Sequence, residues 1–240
     1  MNSPRSVSMR CRWITCLFWL VASVLGAENG SAQPPENAGC VAAPSPGTAW
    51  DIAISYTEPP PAGRIQALRR PLSIHGECYQ NYIRLLIRWT DGNGSEGYVC
   101  GNRVYLKGGE HQKASILPVQ DADYLYPVFT KGYTGTAWIV PGLNVGEEAR
   151  DKYPCQKYVR PPGPGPSAIN GDCPLPELIA WIRVEDKAPA CVKLGSALYI
   201  YSPLHPIGVP TALPAEIQQL IEASSRQQKT LEAMRQKQQP

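Results

Sequence analysis

Past its first 32 residues this chain has no apolar run near the roughly 20 residues that a membrane-spanning helix needs. It has no basic face either, since Arg69-Arg70 is its densest cationic spot. Nucleic-acid binding that depends on neutralising many phosphates is therefore not expected. No two cysteines stand at the CxxC or CxxxC spacing of a closed zinc site. HExxH and GxSxG are absent too, so neither a zincin protease nor a serine hydrolase of the nucleophile-elbow type is indicated. No metal and no cofactor is expected.

What is present begins with a leader. Arg5, Arg10 and Arg12 precede a mostly apolar stretch over 14–27, and Gly30-Ser31-Ala32 offers small residues for cleavage. That is the form of a signal peptide over 1–32. Residues 33–240 then keep 20 of the 23 basic and 19 of the 20 acidic residues, close to neutrality. The expected location is secreted or periplasmic, with no membrane span after cleavage. Removal of Cys11 and Cys16 leaves Cys40, Cys78, Cys100, Cys155, Cys173 and Cys191. An even set in an exported chain reads as disulfides.

An internal repetition prunes the possible pairings. Gly47-Thr48-Ala49-Trp50 recurs as Gly135-Thr136-Ala137-Trp138, and Ser73-Ile74-His75-Gly76-Glu77-Cys78 as Ala168-Ile169-Asn170-Gly171-Asp172-Cys173. Ile87-Arg88-Trp89 answers to Ile182-Arg183-Val184, and Val104-Tyr105-Leu106 to Leu198-Tyr199-Ile200. The offsets are 88, 95, 95 and 94 residues. The economical assignment is one staple per repeat, Cys78–Cys100 and Cys173–Cys191, with Cys40–Cys155 tying the repeats together. Each bridge would restrict the unfolded chain by about 3 kcal/mol.

Local patterning is mainly β. Strands are expected over 49–56, 82–89, 98–100, 103–106, 178–184, 190–192 and 197–201, with a tight turn at Asp91-Gly92-Asn93-Gly94. The 25 prolines exclude long helices through most of the chain. Pro59-Pro60-Pro61 and the 161–166 stretch read as stiff connectors. From Pro214 onward glycine disappears, and Ile217, Leu220, Ile221, Leu231 and Met234 mark one helical face. A short helix followed by a polar tail is expected over 211–240. The domain boundaries that follow are a first β repeat over 33–125 and a second over 126–210.

Candidate functional residues are few. Gly92-x-Gly94-x-x-Gly97 has the spacing of a dinucleotide loop, but a strand rather than a helix follows it, so a hairpin is the better reading. Ile74-His75-Gly76-Glu77-Cys78 reads as a turn into a strand, with the acid capping local N–H groups. His75 is unique to the first repeat and is a candidate ligand residue. His111 and His205 fall in loops. Tyr124 and Tyr126, and likewise Tyr199 and Tyr201, share a strand face and are surface candidates for holding a ligand. Trp50 and Trp138 suit a core role. Asp121 and Asp123 would place two carboxylates on one side of a strand, the minimum for a small secreted hydrolase.

The apolar strand over 82–89, the Asp91-Gly92 turn, Gly97-Tyr98-Val99 and the closing Val104-Tyr105-Leu106 resemble the hairpin end of bacterial SH3-like barrels. The resemblance covers about 25 residues and implies a fold analogy without a ligand. The resulting expectation is two tandem, small, disulfide-stapled β-barrel or sandwich-like repeats with a C-terminal helix. The expected role is a non-catalytic binding or structural module engaging a protein or glycan outside the cytoplasm, with the small secreted hydrolase as the alternative.

Overall fold

A computed structural model describes residues 39–58, 70–108, 113–120, 127–163 and 175–238. The leader over 1–32, Cys173, His111, Tyr124, Tyr126 and the Asp121-Asp123 pair lie outside them.

Alternation builds the first strand. In β1 (Thr48–Tyr56), Trp50, Ile52 and Ile54 are buried while Asp51, Ala53 and Ser55 are exposed. The chain continues through β2 (Pro71–Cys78), β3 (Ile83–Trp89), β4 (Gly94–Cys100), β5 (Arg103–Leu106) and β6 (Ser115–Pro118). It resumes with β7 (Asn144–Arg150), β8 (Tyr153–Arg160), β9 (Leu178–Arg183), β10 (Pro189–Leu194), β11 (Ala197–Tyr201) and β12 (His205–Pro206). A C-terminal helix, α1 (Ala215–Gln238), follows. All strand pairings are antiparallel, in the order β6-β5-β4-β3-β2-β1-β11-β10-β9-β8-β7, with β12 beside the start of β1.

That order corrects the expectation of two separate barrels. β1–β6 form a six-stranded meander, and β7–β11 form a five-stranded one. The meanders share one sheet because β1 pairs with β11, Ile52 opposite Tyr201. β1 and β2 extend the β3-β4-β5 hairpins into this open sheet, so the SH3-like analogy fails. Part of the internal repetition is real: β3, β4 and β5 correspond to β9, β10 and β11 at the offset read from sequence. The tryptophan match is not. Trp50 lies on β1, whereas Trp138 lies in the segment that joins the meanders. The Ile-His-Gly-Glu-Cys stretch is also not a turn but the body of β2.

Two of the three expected bridges, Cys78–Cys100 and Cys40–Cys155, do not form, and the sheet says why; the third needs Cys173, which lies outside the described residues. Cys78 is opposite Ile83, which is opposite Val99. Cys100 is therefore two strand spacings away, about 9.6 Å, and one residue further along faces the other side of the sheet. Cys40 packs in the cluster that contains Tyr158, while Cys155 belongs to a cluster on the opposite face. Cys40, Cys78, Cys100, Cys155 and Cys191 are all free thiols.

The inner face of the sheet is the main core, and one segment closes it. β6 and β7 are consecutive in sequence yet sit at opposite edges, so the chain between them has to cross the sheet. Phe129 lies over β4 and β5, where a Cβ on Gly97 would meet its ring at 2.5 Å. Tyr133 packs edge-on against Trp50 of β1 at 5.3 Å and against Tyr201 of β11 at 6.2 Å. The Tyr201 hydroxyl donates to the Thr134 carbonyl, and Trp138 and Ile139 complete the burial. Core, rather than covalent staples, holds this crossing in place.

On the outer face α1 is longer than expected and runs to Gln238. Ile217 is fully buried against Tyr98 and Tyr105, with Leu220 and Ile221 beside it. Further along the same helix Leu231 and Met234 are exposed.

Candidate functional site

The outer face carries a file of charge that crosses five strands, from β12 to β4, and ends at Lys107 just past β5. Its first members come from β12, β1 and β2: His205 Nε2 stands 3.9 Å from Asp51 Oδ2, and His75 Nδ1 stands 2.8 Å from Asp51 Oδ1. His75 Nε2 faces Glu77 Oε1 at 3.4 Å. Arg84 on β3 then donates to Glu77 at 3.0 Å and to Glu96 on β4 at 2.8 Å. Lys107, just past β5, donates to the second oxygen of Glu96 at 3.1 Å. Strand register makes the file, because Asp51 is opposite His75, Glu77 opposite Arg84, and Arg84 opposite Tyr98.

Burial changes along the file. The Asp51 side chain is 58% exposed, but those of Glu77, Arg84 and Glu96 are only 11–16% exposed. Burial alone would raise the Glu77 carboxyl, yet hydrogen bonds from Arg84 and Tyr79 and the nearby guanidinium charge hold it below the ordinary carboxylate range. Glu96 is likewise lowered: burial opposes, but donation from Tyr98, Arg84 and Lys107 prevails. The Tyr98 hydroxyl is pushed well up by burial and by its bond to Glu96.

Beside the buried end of the file lies a cleft. Tyr79 and Tyr82 stack at 4.6 Å in the turn between β2 and β3. Together with Gln80, Asn81, Cys100, Leu213 and Ile221 they line a space of about 420 Å³ under the start of α1. Both tyrosine hydroxyls are already engaged. Tyr79 donates to Glu77 and accepts from the Thr211 N–H, and Tyr82 donates to the Thr211 carbonyl. The phenols therefore tether the strand-to-helix connection and leave the cleft an apolar wall. Burial pushes the Cys100 thiol in that wall up to about 11.

Of the candidate ligand residues read from sequence, the structure brings His75 into a constellation, together with Glu77, read as a local cap, and His205, read as a loop residue. Tyr199 and Tyr201 are not surface residues: both point into the core and are buried beneath the crossing segment. Tyr124 and Tyr126 lie outside the described residues. Sequence reading missed Asp51, Glu96, Arg84 and the Tyr79-Tyr82 pair. Asp51 and Arg84 are outward positions of alternating strands, a signal available in the pattern, but only register shows that they meet.

No family model matches this chain, and no curated protein matches it either. Solved structures do. The Mycobacterium tuberculosis lipoprotein LppX is similar at 15% identity and a TM-score of 0.34, over 68% of this chain and 89% of that one. LprF from Mycobacterium bovis is similar at 13% identity and a TM-score of 0.31, over 70% and 88%. A DUF1329 family protein from Desulfovibrio piger is similar at 11% identity and a TM-score of 0.24, over 69% and 88%. At that level of agreement the outer-face residues borrow no role from these proteins. Among the described residues no helix is long and apolar enough to cross a membrane.

Proposed function

We propose that the protein is an exported, non-catalytic binding module, and that its recognition site is the cleft between the β2–β3 turn and α1. The leader over 1–32 supports export. The cleft carries the rest of the reading, with its size of about 420 Å³ and its wall of Tyr79, Tyr82, Cys100, Leu213 and Ile221. Such a space takes a small apolar group. The tyrosine hydroxyls are spent on Glu77 and Thr211, which leaves the carboxamides of Gln80 and Asn81 as the polar side-chain groups of an otherwise apolar lining. An apolar side chain of a protein partner fits better than a glycan. No observation favours the hydrolase reading, since residues 121 and 123 lie outside the described residues.

Site-specific photo-crosslinking tests this. A photoreactive side chain at the exposed Asn81 of the exported protein, in its own extracellular milieu, should give one protein adduct by mass spectrometry. The same group at the exposed Thr57 should not. Replacement Ile221→Gln should remove the adduct. Equal adducts from both positions, or one indifferent to Ile221→Gln, would refute the site.

A further inference from the structure

The exposed end of the outer-face file has the chemistry of a metal site. Three adjacent strands build it. Asp51 and His75 are directly opposed across β1 and β2. His205 is opposite Ala49, which makes it a diagonal neighbour of Asp51 on the same face. Its placement follows from a break in the last strand. β11 ends at Tyr201, and Ser202 then grips Asp51 twice, its N–H on the Asp51 carbonyl at 2.8 Å and its Oγ accepting from the Asp51 N–H at 2.9 Å. After Pro203-Leu204 the chain rejoins the sheet at His205, and Pro206 holds that histidine in an extended backbone.

The donor atoms converge. One ligand atom each from Asp51, His75 and His205 lie within 4.8 Å of one another. Around a tetrahedral zinc with bonds of 2.0–2.1 Å the ligand atoms stand about 3.3 Å apart. Side chains this exposed reach that spacing by small torsional adjustments. The nearby carboxylate supplies an independent sign. Glu77 stands 3.4 Å from His75 Nε2 and is itself fixed by Arg84 and Tyr79. With Nε2–H directed at Glu77, a metal taking the place of the Nδ1 proton that Asp51 accepts at 2.8 Å would be held between Nδ1, Asp51 and His205. A carboxylate behind a ligating imidazole is the usual outer-shell support of a metal-bound histidine.

We propose that Asp51, His75 and His205 bind a divalent transition metal of the zinc class, with Glu77 as a positioning residue. Two imidazoles and one carboxylate suit zinc, copper or nickel, and are poor ligands for calcium or magnesium, which take oxygen. Three protein ligands leave a fourth position open on the solvent side, where a water or a donor from another molecule can sit.

Zinc titration of the full chain by calorimetry, with cobalt as a spectroscopic probe, tests the site. The expected result is one equivalent bound, tetrahedral cobalt bands without a thiolate charge-transfer band, and no displacement by excess calcium or magnesium. His75→Ala and His205→Ala should each weaken zinc by more than the roughly 10–100-fold of an outer-shell change, and Glu77→Gln by an amount within that range. Zinc should raise the melting temperature of the parent chain and of His111→Ala, but not of His205→Ala. Metal-free melts show that each variant is folded. No binding at millimolar zinc, a thiolate band, or binding lost in His111→Ala and kept in His75→Ala would each overturn the proposal. Photo-crosslinking at Asn81 reads the cleft separately, so either idea can fail without the other.

Discussion

Replacing Gly76 by alanine should destabilise the protein through Trp50, and the structure gives the size of the effect. A Cβ on Gly76 would stand 2.3 Å from Trp50 Cε2 and Cζ2 and 2.8 Å from Nε1. Ordinary carbon contacts lie near 3.5–4.0 Å. The indole has nowhere easy to go, because Trp50 is fully buried and wedged against Tyr133. Overpacking of this kind costs about 1–3 kcal/mol. Loss of glycine's freedom in the unfolded chain offsets about 0.4–1 kcal/mol of that. A net loss of about 1–2 kcal/mol is expected, read as a lower urea midpoint by far-ultraviolet circular dichroism. The decisive comparison uses Trp50→Phe. That change removes the colliding atoms and also the indole N–H, which is buried without a hydrogen-bond partner. In the Trp50→Phe background Gly76→Ala should cost nothing, giving a coupling of about 1–2 kcal/mol. An equal cost in both backgrounds would show that the indole does not lie on Gly76.

Acid should weaken the fold through the buried end of the charge file. Glu77 and Glu96 titrate below their ordinary value of 4.5 in the folded state, so the unfolded chain binds more protons in that window. Their stabilisation is complete above 4.5 and is lost as pH falls through the lowered folded values, and Glu96→Gln should flatten the pH dependence of the urea midpoint there. The thiols should be intact and slow to react. Non-reducing peptide mapping should recover no Cys78–Cys100 or Cys40–Cys155 peptide, and native labelling near neutral pH should be slow at Cys100, held up to about 11, and rapid once the chain is unfolded.

The strands read correctly from sequence are those whose own pattern is sufficient. β1 alternates, and the β3–β4 turn is set by Gly92 at φ +81° with Asp91 accepting from the Asn93 N–H. β2 was obscured by His75-Gly76-Glu77, which looks like turn chemistry. Gly76 is there because Trp50, 26 residues earlier, lies across it, and Glu77 because Arg84 is opposite in the next strand, a pairing that only the register reveals. β7 reads poorly since it is a polar edge strand, and β8 since Pro154 interrupts it. The repetition misled where it equated Trp50 with Trp138, two aromatics that share a core without sharing an element. At the outer-face cluster His75 was visible, but Asp51 looked like one more exposed position and His205, flanked by Pro203 and Pro206, like a loop. Their meeting depends on β12 rejoining β1, a pairing that no local window contains.

The seam between β1 and β11 also dictates a schedule. β1 is among the first strands to emerge during synthesis, and its partner is nearly the last. Until residues 197–201 arrive, the first meander presents an unpaired edge along Ile52–Tyr56, an invitation to pair with another chain. The segment that covers its apolar face, 127–143, also arrives before its second set of contacts on β10 and β11 exists. Folding is thus held open from both ends and completed by long-range contacts, the slow regime for a β protein. A chain made this way needs its amino-terminal half shielded while the remainder is delivered.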